Sequence, residues 1–378
     1  MYLYVPILSP YVVHQGGSLG LVGLVVAAYG VPQLTLRLPL AVWADRVGRH
    51  KPFVYLGLGA ALASVLGMWW FPRPAAFVLW RFLAGVAAST WALFTVLYMG
   101  LFPRDRAADA IGFANLAYVL GQISSTYLGG LLAQAVGWSA PFQAAAVLAA
   151  LGLLCALGVR EEPPAPSRAS VPPPSPRVVW RASGALRIAS GLGIFSQITS
   201  FVTTFGYVPI WAVHIGLSRS DLGLLLGVSL LPTAVMTVMS GSVLAHRWPL
   251  LRVLWLAFAL VAAATALTPL IPRAWWLYLT QAVLGVGRGM LSPSLTILSV
   301  SEVEPPQRGT AMATYQSLFA VGTVGGPAFA GWVVSRYGLL SAFDLAAAAG
   351  LAGALWSAWA LWRTGRSAAV APEASESR

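Results

Sequence analysis

Three arginines lie well inside long apolar stretches, where a charged side chain needs a partner or a purpose. They are Arg37, Arg81 and Arg288. A charge near the centre of a bilayer costs about 2.5–3.5 kcal/mol on insertion scales and normally faces a cavity. We therefore expect Arg81 and Arg288 to face a polar cavity. A bond to a helix carbonyl, or a side chain that reaches back to the membrane surface, is the alternative explanation.

The residue types that catalysis and metal binding require are scattered along the chain. It has 11 acidic residues, four histidines and one cysteine, and no two histidines have the spacing of metal ligands or of a catalytic pair. We predict no catalytic residue, no metal and no cofactor. Two arginines without a deep acid favour an anionic or neutral solute over a cationic one. Further candidates for binding a solute or coupling ion, each of which could instead bond a neighbouring helix, are Gln197, Thr203 and Gln281.

The composition indicates the elements that hold these side chains. Of 378 residues, 58% are hydrophobic and 9% are charged, and the mean hydropathy is +0.75. Soluble domains are about 45–50% apolar and about 25% charged. The chain is therefore predicted to be an all-α polytopic membrane protein. A soluble enzyme and a nucleic-acid-binding module are excluded, and the net charge of +12 has to be explained by membrane topology instead.

Twelve apolar runs divide into two sets of six, and all but the first are long enough to cross a bilayer. A Pro-, Ser- and Arg-rich stretch separates the sets. We predict an N-terminal six-helix bundle (1–159), a flexible cytoplasmic linker (160–187), a C-terminal six-helix bundle (188–363) and a disordered cytoplasmic tail (364–378). The runs are 1–13, 19–43, 52–71, 75–101, 108–134, 139–159, 188–213, 220–245, 250–270, 274–300, 309–335 and 340–362.

The distribution of basic residues predicts the orientation. If the linker is cytoplasmic, most of the 23 basic residues lie on its side of the membrane. Cytoplasmic loops carry such an excess of Lys and Arg. Both termini are then cytoplasmic, and the protein is predicted to be a multi-pass protein of the plasma (inner) membrane in contact with lipid. The basic residues on the opposite side are Arg73, Arg219, Arg273 and Arg336.

The two halves repeat each other at a distance of about 200 residues. The sequence Tyr-Val-Pro-Ile at 4–7 recurs at 207–210, and Pro-Arg at 72–73 recurs at 272–273. Repeated halves with a site at their interface are typical of secondary transporters. The repeat also indicates that the first span lacks its beginning, because the seventh has a further helical stretch before Tyr207. We expect a first helix truncated at its N-terminus.

The loop after the second run carries a recognisable motif. Residues 37–52 read RLPLAVWADRVGRHKP. This resembles the signature loop of the major facilitator superfamily (MFS), Gly-x-Leu-Ala-Asp-Arg-x-Gly-Arg-Arg/Lys, at Asp45, Arg46, Gly48 and Arg49, with Ala41 in place of the first Gly. The stretch from Arg81 to Gly85 is similar to a second motif of that family. The glycines of the fifth run resemble a motif of its exporters, with Ser125 and Thr126 in place of its Gly-Pro.

The resemblance implies a 12-helix fold of two pseudo-symmetric six-helix bundles and a cytoplasmic gate. In such a gate, Asp45 would meet the start of the eleventh span near Arg308. Arg46 or Arg49 would pair with Asp105 or Asp109, and Arg37 would be a gate residue. A plain positive loop is the alternative. Close helix packing is expected at Gly85, Gly121, Gly129, Gly130, Gly322, Gly326 and Pro327.

The resulting functional hypothesis is a secondary active transporter, not an enzyme, that moves a small organic solute by alternating access. Proton-coupled efflux is the first interpretation. The alternatives are an uptake permease for an organic anion, sugar or other metabolite, and a transporter-like membrane sensor. The expected partners are the small-molecule substrate, membrane lipid and protons. We expect a monomer, and no nucleic acid.

Overall fold

The computed structural model describes residues 1–103, 106–159, 161, 176–244, 247–304 and 307–369. Throughout these ranges the ordered elements are helices, and no strand occurs. Eleven of the described helical stretches are long and apolar enough to cross a membrane, and a twelfth, Val5–His14, is shorter. The prediction of an all-α polytopic fold is confirmed.

The spans are numbered 1 to 12 in chain order. Pro6 lies in the first turn of span 1, and Ser18 caps the start of span 2 by accepting a hydrogen bond from the Leu21 amide. Span 2 consists of three consecutive helices, and span 4 of two. In the first half the spans are span 1 (Val5–His14), span 2 (Leu19–Ala28, Gly30–Thr35 and Arg37–Val47), span 3 (Lys51–Trp70), span 4 (Ala76–Ser89 and Trp91–Met99), span 5 (Ala107–Ala135) and span 6 (Ala140–Gly158).

In the second half, π-helical turns interrupt two of the spans. They lie at Thr203–Tyr207 in span 7 and at Ser240–Leu244 in span 8. The spans are span 7 (Gly184–His214), span 8 (Arg219–Leu244), span 9 (Leu250–Leu267), span 10 (Ala274–Val300), span 11 (Arg308–Tyr337) and span 12 (Ser341–Ala369). The side of the membrane where span 6 ends and span 7 begins is called the linker side, and the opposite side is called the far side.

Helices extend past two of the predicted boundaries. The predicted linker 160–187 contains a helix, Pro176–Ala182, and span 7 begins at Gly184, where the Ser183 hydroxyl caps it by accepting from the Leu186 amide. The predicted tail 364–378 is helical as far as Ala369, and no proline interrupts this helix. Residues 160, 162–175 and 370–378 lie outside the described part of the chain.

The buried apolar residues show how the two bundles meet. One continuous core contains the far-side ends of spans from both bundles, including Val25 of span 2, Leu222 of span 8 and Val334 of span 11. On the linker side there are two separate cores, one around Phe258 in the second bundle and a smaller one around Phe53 in the first. The bundles are thus joined on the far side and separate towards the linker side.

A carboxylate and a lysine fasten span 3 to span 6 on the linker side. Glu161, just after span 6, accepts hydrogen bonds from the backbone N–H groups of His50 (2.5 Å) and Lys51 (3.0 Å) at the start of span 3. Lys51 in turn donates from Nζ to the carbonyl oxygens of Leu157 (3.2 Å) and Val159 (2.5 Å) at the end of span 6. Each helix end therefore receives the charge that its free backbone groups favour.

The repeat is broken where span 1 is short. In the second half, Gly322 and Gly326 of span 11 pack against the backbone of span 7 at Ile194 and Ile198. The position in span 5 that corresponds to Gly322 is Gly121, and a β-carbon there would have no neighbour within 4 Å among the described residues. The close packing predicted at Gly121 is therefore not found in the described part of the chain, where span 1 is the short helix Val5–His14.

We expect Gly121→Ala to be tolerated and Gly322→Ala to be damaging. A β-carbon at Gly322 would overlap the carbonyl oxygen and α-carbon of Ile194, which belong to helix backbone and cannot rotate away. Overpacking of this kind typically costs about 1–3 kcal/mol. Thermal unfolding in detergent measures both variants. Equal losses of stability in the two would mean that a helix packs on Gly121 as well.

The Glu161 cap predicts a pH-dependent stability. Partial burial raises the pKa of Glu161, but hydrogen bonds from the His50 and Lys51 backbone and from the His50 ring lower it more, so the pKa lies below its ordinary value of 4.5. A lowered folded-state pKa means that the stabilisation is present above pH 4.5 and is lost as the pH falls through the lowered value.

Glu161→Ala should therefore lower the unfolding temperature at pH 7, by an amount that corresponds to about 1 kcal/mol for a lost helix cap. The loss should shrink in acid. Glu304→Ala, which removes an exposed carboxylate on the same side, is the control and should have little effect. A loss at pH 3 as large as that at pH 7 would contradict the cap.

Candidate solute-binding chamber

Arg288 lies halfway along span 10 and faces span 7. Its Nη1 donates to the Thr204 hydroxyl at 3.2 Å, and its guanidinium carbon is 5.3 Å from the centroid of the Phe205 ring. Both partners belong to the π-helical turn Thr203–Tyr207. Cation–π contacts of this kind are stronger where water is excluded. A helix hydroxyl and an aromatic face therefore hold the guanidinium in place, and no described carboxylate neutralises it.

A side-chain hydrogen bond lies at the start of this turn in span 7. Thr203 donates from its hydroxyl to the carbonyl oxygen of Thr199 at 2.5 Å, one turn earlier. Such Ser and Thr back-bonds bend helices, and single π-helical turns occur frequently at functional sites. The turn places Thr204, rather than Thr203, against Arg288. Thr203 was predicted to be a solute or coupling residue, but its hydroxyl is bonded within its own helix.

Arg81 occupies span 4 in the other bundle and is 5% exposed. Its guanidinium lies over the Tyr29 ring of span 2, 4.5 Å from the centroid, and its Nε has no hydrogen-bond partner within the described residues. Tyr29 in turn stacks on Phe201 of span 7 with centroids 6.2 Å apart. Gly85 allows this arrangement, because a β-carbon there would overlap the Tyr29 carbonyl oxygen.

Together these side chains form an aromatic, positively charged zone between the bundles, which we call the chamber. It contains Arg81 and Tyr29 from the first bundle and Arg288, Phe201 and Phe205 from the second. The hydroxyls of Tyr2 and Tyr118 meet at 3.1 Å in the first bundle. In the described spans, acidic side chains other than those at Asp45 and Asp109 occur only in the first turns of spans 8 and 12, as Asp221 and Asp344, at the far side.

Gln281 is the counterpart of Arg81 in the repeat and is 1% exposed. Neither its amide nitrogen nor its amide oxygen has a hydrogen-bond partner among the described residues. It lines a small cavity with Pro6 of span 1, Thr204 of span 7 and leucines of span 8. Gln281 and Arg288 are two helical turns apart, about 10 Å along span 10. An unsatisfied buried amide is costly, so this position favours a polar occupant.

Gln197, the remaining predicted solute residue, lies elsewhere. Its Nε2 donates to the Thr323 hydroxyl of span 11 at 3.2 Å, which joins two helices of the same bundle. This is the helix-to-helix bond that was the alternative interpretation. Arg288 and Gln281 therefore both lie next to Thr204. Arg81 is linked to span 7 through Tyr29 and Phe201, and Gln197 and Thr203 form helix contacts.

The predicted gate residues are only partly described. Arg37 donates from Nη1 to Gln316 Oε1 of span 11 and from Nη2 to Gln33 Oε1 of span 2, both at 3.0 Å. It thus connects the two bundles on the linker side of the chamber. Arg308 donates from Nε to the Val303 carbonyl at 3.3 Å.

The other gate predictions concern the loop after span 2. Gly48 ends that span with a φ of 66°, a left-handed conformation that favours glycine, and Arg46 and Arg49 are exposed. Asp105 and the side chains of Asp45 and Asp109 lie outside the described part of the chain. The predicted pairs of Asp45 with span 11, and of the arginines with Asp105 or Asp109, therefore stay predictions.

The remaining predicted packing residues lie at helix contacts. A β-carbon at Gly129 would overlap the Leu3 carbonyl of span 1, and one at Gly130 would lie 2.9 Å from the Gly223 nitrogen of span 8. Pro327 presents its carbonyl oxygen to Gly23 of span 2. Thus Gly130 and Pro327 lie where the two bundles touch, on the far side.

Sequence reasoning missed two aromatic residues of the chamber. They are Tyr29, whose ring packs against the Arg81 guanidinium, and Phe205, whose ring packs against the Arg288 guanidinium. In each pair the two residues belong to different spans and are more than 50 residues apart in the sequence. The aromatic content of spans 2 and 7 was visible in the sequence, but the pairing was not.

Comparison with known proteins gives a consistent result. A family model described as Major Facilitator Superfamily matches residues 1–208 and 190–377. The tetracycline resistance protein, class C, of Escherichia coli is 23% identical over 327 residues, 84% of this chain and 80% of that protein. The multi-drug resistance efflux pump PmrA of Streptococcus pneumoniae is 24% identical over 364 residues, 90% of this chain and 87% of that protein.

Other similarities are shorter or purely structural. The inner membrane transport protein YajR of Escherichia coli is 26% identical over 204 residues, 52% of this chain, and the chain spans only 40% of that protein. A crystal structure of a mutant of the nucleoside transporter NupG has a TM-score of 0.78 at 15% identity, covering 94% of both chains. The D-xylose-proton symporter has a TM-score of 0.71 at 17% identity, covering 94% of this chain and 92% of that one.

Two neighbouring threonines offer a test of the contact with Arg288. Thr204→Val removes the hydroxyl that accepts from the guanidinium, whereas Thr203→Val removes only a bond within span 7. Hydrogen bonds between membrane helices are worth about 1 kcal/mol. We expect Thr204→Val to lower the unfolding temperature more than Thr203→Val in detergent. If Thr203→Val costs as much or more, the hydroxyl of Thr204 does not support Arg288.

Proposed function

Because the chain belongs to the Major Facilitator Superfamily, whose members are non-enzymatic carriers, we propose that it is a secondary transporter of a small organic anion. The two bundles would rock about the chamber and expose it in turn to each side of the membrane. Repeated halves around a midplane site are the architecture that supports such a cycle.

The observation that supports an anionic solute is the pair of guanidiniums inside the helical bundles, Arg81, which is buried, and Arg288, which is partly exposed. Each is held against an aromatic ring and neither is paired with a carboxylate among the described residues. An anion between them would offset two positive charges, one from each bundle. A flat aromatic anion would also stack with Tyr29 or Phe205. Burying a charge without such a partner is unfavourable.

The proposed direction is export from the linker side, which the basic residues assign to the cytoplasm. The bundles are joined on the far side and separate towards the linker side, so the chamber would load from the cytoplasm in this conformation. An inside-negative potential drives an anion outward by about 2.3 kcal/mol per charge per 100 mV. The relatives named as a tetracycline resistance protein and an efflux pump are in keeping with export.

Proton coupling is the second part of the proposal. The described spans hold no carboxylate at the level of the chamber, so protons would enter the cycle at the far-side ends or together with the solute. Uptake of an organic anion, a sugar or another metabolite is the second candidate. It is favoured by the same arginines and by the structural likeness to a nucleoside transporter and a sugar symporter.

Transport in proteoliposomes tests the proposal. The protein is reconstituted and offered matched aromatic solutes that carry a negative, a neutral or a positive group, with and without an imposed pH gradient. Saturable movement of the anionic solute, faster when its own side is negative, is the expected result. A dependence on the pH gradient would add proton coupling. Preferential movement of the cationic solute would refute the anion proposal, and binding without any net movement would favour a sensor.

Arg81 and Arg288 should both contribute to the affinity for an anionic solute. Loss of a hydrogen bond to a charged group costs about 1.5–3 kcal/mol, so Arg81→Gln and Arg288→Gln should each weaken anion binding about tenfold or more. Arg273→Gln, which removes an exposed far-side arginine, is the matched control and should leave binding unchanged. Competition with a labelled anionic solute provides the measurement. Unchanged affinity in both chamber variants would contradict the site.

A further inference from the structure

Spans 5 and 8, which belong to different bundles, complete each other's ends on the far side. Arg219 is the first residue of span 8, and its Nη1 donates to the Ala133 carbonyl oxygen in the last turn of span 5 at 3.1 Å. The backbone N–H of Arg219 donates to the side-chain oxygen of Gln134 at 3.2 Å. The first N–H groups and last carbonyls of a helix lack partners within it. Each of these two helix ends therefore supplies the other with one.

The guanidinium is further held by an aromatic ring. Arg219 lies over Trp138, which follows span 5, with its guanidinium carbon 4.4 Å from the ring centroid. A positive charge at the carboxyl end of a helix is also favoured by the helix dipole. Two side-chain contacts and one backbone hydrogen bond thus tie Arg219 of the second bundle to the first bundle.

Glycines bring the two helices close enough for these bonds. A β-carbon at Gly130 of span 5 would lie 2.9 Å from the Gly223 nitrogen, and one at Gly223 would overlap the Thr126 carbonyl. The backbones therefore touch one turn inside the Arg219 contact. Opening the far side between spans 5 and 8 would have to separate the glycines and break the Arg219 bonds together.

The bundles also meet on the far side between spans 2 and 11. We call each of these two contacts between the bundles a far-side seam, and the side chains at the second seam differ from those at the first. The second seam has the same kind of glycine contact, since Gly23 packs on Gly331 and Pro327. Ser18 caps span 2 as Ser218 caps span 8, so the residue that corresponds to Arg219 is Leu19. Leu19 has no side-chain donor to offer. Among the described residues, the reciprocal cap is therefore a feature of the seam between spans 5 and 8.

We propose that Arg219 is a positioning residue that holds the far side closed while the linker side is open. This inference rests on the proposed alternating-access cycle. Release of Arg219 from Ala133, Gln134 and Trp138 would accompany each opening to the far side. The contact lies at the membrane surface, where water can replace the lost hydrogen bonds, so the latch is breakable within a transport cycle.

Thiol labelling tests the latch without a solute. The single cysteine is exposed and is replaced, Cys155→Ser, so that one reporter can be introduced. Leu226→Cys places it on span 8 at a position that is 5% exposed, inside the closed far side. A membrane-impermeant maleimide added from the far side reacts only when that side opens. Arg219→Gln is compared with Arg336→Gln, which removes a far-side arginine held by Trp332 of its own span.

We expect Arg219→Gln to raise the labelling rate about tenfold, because one hydrogen bond to a charged group is worth about a tenfold change in an equilibrium, and Arg336→Gln to leave it unchanged. The parental rate in Arg219→Gln, or an equal rise in Arg336→Gln, would overturn the latch. If Arg219→Gln is not recovered as folded protein, Arg219→Leu, which gives span 8 the residue found at the corresponding position of span 2, is read by the same two criteria. Since no solute is present, failure of the anion proposal would not alter this result.

Discussion

The need to accommodate two guanidinium groups inside an apolar bundle governs the centre of this protein. Both side chains lie within long apolar spans, where Arg81 is buried and Arg288 is partly exposed. The described residues provide a hydroxyl and aromatic rings as partners, but no carboxylate. This lack of a negative partner is the basis of the proposal that an anion binds there. A solute that contacted both bundles would couple its binding to their relative movement.

The contacts between the bundles determine from which side of the membrane the chamber can be reached. The far-side ends of both bundles share one apolar core, and glycines bring the backbones of spans 2 and 11, and of spans 5 and 8, into contact. Towards the linker side the cores are separate, and Arg37 with Gln316 is a polar contact across the gap. The two far-side seams are related by the repeat but differ in chemistry. Within the described residues, only the one with Arg219 has a cap that exchanges hydrogen bonds between helix ends, so the two seams need not resist opening equally.

Much of this arrangement could be predicted from the sequence, because it follows from composition and repetition. Long apolar runs fixed the number of spans, the basic residues suggested an orientation, and the cost of burying a charge selected Arg81 and Arg288. The partners could not be predicted in this way. Thr204 replaces Thr203 because a π-helical turn shifts the register of span 7, and no pattern in the sequence marks that turn. Gly121 has the spacing of a packing glycine, yet a β-carbon there would have no neighbour within 4 Å among the described residues. From the sequence, Glu161 was predicted to belong to a flexible linker, but in the structure its carboxylate caps the start of span 3.

The central claim is that a negatively charged solute crosses between the bundles, and current measurement on a supported membrane tests it most directly. A gradient of an aromatic monoanion is applied to adsorbed proteoliposomes in the absence of a pH gradient. The account predicts a transient current with the sign of moving negative charge, which saturates with concentration and is absent for the neutral analogue. Flux of the neutral analogue together with no current for any anion would contradict it.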